Sequence, residues 1–121
     1  MSSTQSFESV RSPSVASLFY PGNPLELQQN IRDLLDETSR DVDLPDEGIL
    51  RAMIVPHAGY VYSGSNAAKA YRLLKNYRDE FRRIILLGPA HRVWIQGIAF
   101  PAVEAYETPL DWIPLAVKQI R

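Results

Sequence analysis

The chain is predicted to adopt an α/β fold, with a parallel pair of strands joined by a helical crossover and covered by helices on both sides. Three observations lead there. Residues 49–55 and 84–87 are two short apolar runs that read as apolar on both faces, the pattern of strands inside a parallel sheet. A helical pattern lies between them, so the order is strand, helix, strand. Such a unit closes with a right-handed crossover.

Residues 1–10 are Ser-rich and aperiodic and are expected to be a disordered N-terminal segment, leaving residues 11–121 as the domain. Residues 11–22 carry Val15, Leu18, Phe19 and Tyr20 without helical or alternating order, which predicts an irregular segment laid on the core. Asn23-Pro24 is a helix start: Asn caps free amide donors, and Pro at the first position has a suitable φ and no donor to lose. Leu27, Ile31, Leu34 and Leu35 follow at helical spacing, opposite Glu26, Gln29, Arg32, Asp33 and Asp36. This predicts an amphipathic helix to about Ser39, then a connecting loop over residues 41–48, where Pro45 breaks the pattern.

Residues 49–55 read as a buried strand closed by Pro56, whose ring pushes Val55 toward extended backbone. A turn over residues 57–64 follows, and Ser65 is the expected cap of a helix running to Tyr77. The helix begins with small residues, so it can press close to a sheet. Lys69, Arg72, Lys75, Arg78, Arg82 and Arg83 make the region basic and read as a solvated face. Residues 84–88 form the second strand, stopped by Gly88-Pro89. A third strand is expected over residues 97–100, and residues 113–120 begin another element that stops without a cap. Two or three strands are few beside the usual sheet of roughly five or six, which predicts a truncated chain, a fragment.

Composition narrows the function. Thirteen Lys and Arg against fourteen Asp and Glu give a net charge of −1, without the positive footprint of a nucleic-acid binder. No cysteine is present, so any metal must be held by nitrogen or oxygen. Apolar runs stop well short of the roughly 18 residues that span a bilayer, and the N-terminus lacks the pattern of a secretory signal. A cytoplasmic protein with neither nucleic acid nor membrane as partner is expected.

The two histidines, His57 and His91, each sit just beyond the carboxyl end of a predicted strand. Ligands of open parallel sheets bind in the crevice outside those ends, and neighbouring strands lie about 4.8 Å apart. Two imidazoles on adjacent strand ends can therefore hold one divalent ion between them; equally, each can be a solvated or hydrogen-bonded loop residue. Tyr60 and Tyr62, beside the first histidine, either offer phenol groups to a substrate or partner in the same cleft or simply pack. Tyr62-Ser63-Gly64-Ser65-Asn66 fails the Gly-x-Ser-x-Gly pattern of a hydrolase nucleophile, and no phosphate-binding glycine loop occurs.

Four blocks go further: Arg11-Ser-Pro-Ser-Val-Ala-Ser-Leu-Phe-Tyr-Pro21, Ile54-Val-Pro-His-Ala-Gly-Tyr-Val-Tyr-Ser-Gly64, Leu86-Leu-Gly-Pro-Ala-His91 and Glu107-Thr-Pro-Leu110. In order and spacing the sequence resembles the Memo family, also called AmmeMemoRadiSam system protein B, whose fold is similar to that of class III extradiol dioxygenases. The second block is the most specific. The resemblance implies a three-layer α/β domain with a mainly parallel sheet, and a metal-binding cleft in which His57 and His91 are ligands. Three positions depart from the family pattern: Ser14 and Ser17 stand where it usually has Ala and Gly, and Asp111 where Gly follows Thr-Pro-Leu.

Members of the family continue into a second half that supplies further strands and ligands. Two imidazoles alone fall short of the three or four ligands of ordinary zinc or iron sites, and spacing selects neither Glu104 nor Glu107 to complete the set. The cofactor expected is a divalent metal, iron or copper first and zinc after them, bound weakly or not at all by the isolated chain. Three readings follow: a redox or dioxygenase-like metal protein acting on an unidentified small molecule, a non-enzymatic module binding a peptide or partner in the same cleft, or a fragment without activity of its own.

Overall fold

Local signals at Asn23 set where the first helix begins. The computed structural model describes residues 6–38 and 48–117, and the chain divides into two units, residues 14–82 and residues 1–13 with 83–121. In the first unit, helix α1 spans Pro24–Glu37. The Asn23 side chain accepts from the Leu25 N–H at 3.0 Å and the Glu26 N–H at 3.1 Å. Those bonds satisfy two amides that the helix itself leaves free. Of the predicted stripe, Leu27 is buried and Ile31, Leu34 and Leu35 are half-buried. At the other end the Thr38 hydroxyl is within 3.2 Å of both the Leu34 and Leu35 carbonyls, to which it donates. The expected end at Ser39 and the loop over residues 41–47 lie outside the described residues.

Helix α2 spans Tyr60–Leu73 and continues as a 3-10 turn over Leu74–Tyr77. It starts at Tyr60, within the segment expected to be a turn, and Ser65 lies inside it rather than capping it. The physical reason is a distant partner: Gly59 offers no side-chain cap, and the Tyr60 N–H instead donates to the Phe19 carbonyl at 2.7 Å. The small residues press not on a sheet but on α1. A Cβ on Gly64 would lie 3.1 Å from Leu34 Cδ1, and Ala68, a turn further on, is buried. Across the same seam Arg72 donates to the Leu35 carbonyl at 2.7 Å, so one residue of the basic face caps the carbonyl end of α1.

The second unit holds a sheet of three short strands, β1 (Val10–Arg11), β2 (Ala105–Glu107) and β3 (Trp112–Pro114), in that order. β1 runs parallel to β2 with Val10 opposite Ala105, and β3 runs antiparallel to β2 with Tyr106 opposite Ile113. Ala105 is fully buried at the centre. Pro114 has no N–H to donate and sits on an edge strand, where that is tolerated. Thr108 builds the β2–β3 turn: its hydroxyl accepts from the Leu110 and Asp111 amides and donates to the Asp111 carbonyl at 2.8 Å. Ahead of β1, the Glu8 N–H donates to the Glu104 carboxylate at 2.8 Å and the Phe7 ring lies 5.7 Å from that of Trp112; residues 1–5 lie outside the description.

Helices and a mixed sheet make the chain α/β, but the described sheet is not the expected one. Residues 49–55, 84–88 and 97–100 are not strands, and the segment expected to open at Ile113 contributes only β3, with residues 118–121 outside the description. A strand exists only by pairing, and these runs have no ladder partner among the described residues. Their side chains are correspondingly open: Ile54 is fully exposed and Ile84 to Leu87 are 74–86% exposed.

Two substitutions test the helical unit. Asn23→Ala removes both cap bonds and is expected to lower its stability by about 1 kcal/mol, read as a lower urea midpoint at unchanged slope. Ser17 has φ +65°, left-handed backbone that costs a residue with a Cβ about 1 kcal/mol, so Ser17→Gly is expected to raise the same midpoint. A Ser17→Gly midpoint below that of the parent would refute the strain assignment.

Candidate functional site

Two of the four sequence blocks meet in the helical unit. Residues 15–20 form a tight turn, with the Phe19 N–H donating to the Val15 carbonyl at 2.8 Å and the Ser17 N–H to the Tyr20 carbonyl at 2.8 Å. The turn lies against the start of α2, where a Cβ on Gly59 would be 3.4 Å from the Phe19 backbone. That is close to ordinary contact distance, and the Tyr60 N–H to Phe19 carbonyl bond joins the two segments at the same place. The Ser63 hydroxyl folds back to donate to the Ala58 carbonyl at 3.1 Å, tying the segment that carries His57 to the first turn of α2.

His57 is exposed in the irregular stretch before α2. His91 is exposed in a bend after Gly88-Pro89-Ala90 and belongs to the other unit. Among the described residues no three His, Cys, Asp or Glu side chains converge as a metal-holding group. Of the two acids weighed for the third ligand, Glu104 accepts the Glu8 amide and Glu107 stands opposite Trp112 in the sheet. What the described residues offer a metal is therefore a pair of accessible imidazoles and no assembled set.

The tyrosines part company. Tyr62 is 86% exposed on α2. Tyr60 turns inward, its ring 5.8 Å from that of Tyr20 at 42°. Burial, then the neighbouring Tyr20 and Tyr71 phenols, push its pKa above the usual phenol value, so it stays a neutral donor. It borders an open cavity of about 830 Å³ with Ser17, Phe19, Glu26, Asn30 and Ser65. Glu26 is the one charged residue in that lining. Asn30 adds a buried Oδ1 that has no hydrogen-bond partner among the described residues. Sequence reading placed Ser17 and Phe19 in a packing segment and Asn30 on no particular face, because the cavity comes from a turn meeting two helices and leaves no local pattern.

The raised Tyr60 pKa carries a pH dependence. In the unfolded chain the phenol ionises around its ordinary 10.0, while the folded state holds the proton to higher pH. Its contribution is thus fully present below 10.0 and is lost as the pH rises through the folded pKa. Tyr60→Phe is expected to flatten the alkaline limb of the stability profile while leaving the neutral region's slope unchanged; an identical alkaline limb in both proteins would refute this.

The Memo-like protein family model matches residues 11–115, which include both histidines and all four blocks. Among individual proteins, the chain is 37% identical over 103 residues to the memo-1 homolog of Caenorhabditis elegans, covering 85% of this chain and 27% of that protein. It is 38% identical over 101 residues to a MEMO1 family protein of Aquifex aeolicus, covering 83% and 34%. With mouse MEMO1 it shares 48% identity over 60 residues, half of this chain and 20% of that protein. No solved structure matches. The chain spans between 27% and 41% of the length of the first curated relatives it matches. A match running through nearly the whole described chain makes it a member of the Memo family.

Proposed function

We propose that this chain carries part of a Memo-like metal-binding cleft, in which the imidazoles of His57 and His91 hold a divalent ion, iron or copper before zinc. The observation that carries the reading is that the only two histidines, both exposed, fall within the family match. A bound ion would supply Lewis-acid or redox chemistry of the dioxygenase-like kind. The chain's own part is to present nitrogen donors: Ser63 and Gly59 hold the His57 segment on α2, and Tyr62 is an exposed phenol on the same first turns. With two imidazoles and no third converging ligand among the described residues, binding by this chain alone is weak.

A second reading has its own support. The open cavity beside Tyr60, lined by apolar, amide and hydroxyl groups with the Glu26 carboxylate and no basic residue, suits a neutral or cationic peptide rather than an anion.

Calorimetric titration with ferrous, cupric and zinc ions separates the two. Weak binding that falls at least roughly tenfold in both His57→Ala and His91→Ala is expected. Binding undiminished in both variants would remove the metal assignment. Peptide binding retained in both, and lost in Tyr60→Ala, would favour the second reading.

A further inference from the structure

The cavity beside Tyr60 is one-sided in its chemistry. Glu26 is the one charged residue that borders it, and among the described residues no lysine, arginine or histidine does. Asn30 follows Glu26 by one helical turn on α1, so the two side chains stand on one face. Asn30 is half-buried, and its Oδ1 is shut off from solvent without a hydrogen-bond partner among the described residues. An acceptor left in that state is costly, and a donor relieves it. Much of the remaining wall is aromatic, with the Tyr20 and Tyr60 rings 5.8 Å apart and Phe19 also bordering the cavity. Amides that would favour an anion are already taken at both helix starts. Leu25 and Glu26 donate to the Asn23 side chain, Leu27 to the Asn23 carbonyl, and Tyr60 to the Phe19 carbonyl.

We infer that this cavity receives a primary ammonium group, the lysine side chain of a partner peptide, held by the Glu26 carboxylate and the Asn30 Oδ1 with its methylene stem along Phe19, Tyr20 and Tyr60. The inference rests on the reading of this cavity as a peptide site and is independent of any metal at His57 and His91. A carboxylate and an unpaired amide oxygen call for a donor that carries positive charge. Three rotatable N–H donors on a compact head can serve Glu26 and Asn30 together, whereas the planar guanidinium fork is built for the two oxygens of one carboxylate. Asn30 meets the ammonium by turning about χ2, a soft torsion. Aromatic faces attract a cation and cover an alkyl stem. The open mouth leaves a free small amine largely in water, which favours one carried on a longer chain.

The test uses the whole chain with a chelator present, so failure of the metal reading cannot alter the outcome. The probes are Gly-Gly-Lys-Gly-Gly, the same peptide with norleucine in place of lysine, and n-butylamine, the peptides being blocked at both ends. Dissociation constants are read by NMR shift titration. The lysine peptide is expected to bind at least roughly tenfold more tightly than either of the other two, by a margin that narrows at high salt. Its binding is expected to shift the Asn30 side-chain amide resonances. Glu26→Gln, a change at an exposed position, is expected to erase the preference for lysine over norleucine while the helical signal in circular dichroism is unchanged. A preference that survives Glu26→Gln undiminished would overturn the proposal, as would Asn30 resonances that do not move or n-butylamine binding as tightly as the lysine peptide. Equal affinities for the two peptides, both lost in Tyr60→Ala, would overturn the ammonium assignment and leave the peptide reading standing. Binding of neither peptide would remove both.

Discussion

An extended apolar segment has two unmet needs that a helix does not. Its backbone donors and acceptors point sideways and must be paired by neighbours, and its two faces must both be covered. A helix satisfies its backbone internally and has one stripe to bury. That difference separates the ordered parts of this chain from the exposed ones. α1 and α2 need only each other, and Gly64 against Leu34 gives them the approach they require. Residues 49–55 and 84–87 need more than any described residue offers, and remain unpaired with isoleucines and leucines in solvent.

The same distinction governs what was legible in the residues. α1 could be read almost to its last turn because its signals are contiguous: a capping Asn23, a following Pro24, and a stripe from Leu27 to Leu35. The start of α2 could not, since its first amide is satisfied by the Phe19 carbonyl, far away in the chain. Ser65 looked like a cap by type but was not needed as one. The sheet was the least legible part, because β1 and β2 pair residues from opposite ends of the sequence and are too short to show periodicity. Apolarity marked residues 49–55 and 84–88 as strands, which they do not form, because composition shows which segments could enter a sheet and not whether the described residues supply partners for them.

At the candidate site, residue type carried more than geometry. His57 and His91 stood out because histidine is scarce here, and family membership places both in a matched region. Tyr60 and Tyr62 looked equivalent in sequence and differ because helical spacing turns one toward Tyr20 and leaves the other in water. Ser17, Phe19 and Asn30 gave no chemical signal, and their place beside a cavity follows from how the 15–20 turn sits on the two helices. The Thr-Pro-Leu block, by comparison, has a purely local explanation: Thr108 needs Asp111 at that separation to close its turn.

The bond from the Tyr60 amide to the Phe19 carbonyl reaches beyond the site. It closes a long loop, and because the entropic cost of closure grows only slowly with length, the wide separation of its partners in sequence adds little to that cost. The opening turn of α2 and the 15–20 turn thus share a backbone bond, so displacing either one frees the first amide of the helix and loosens the anchor next to the segment bearing His57.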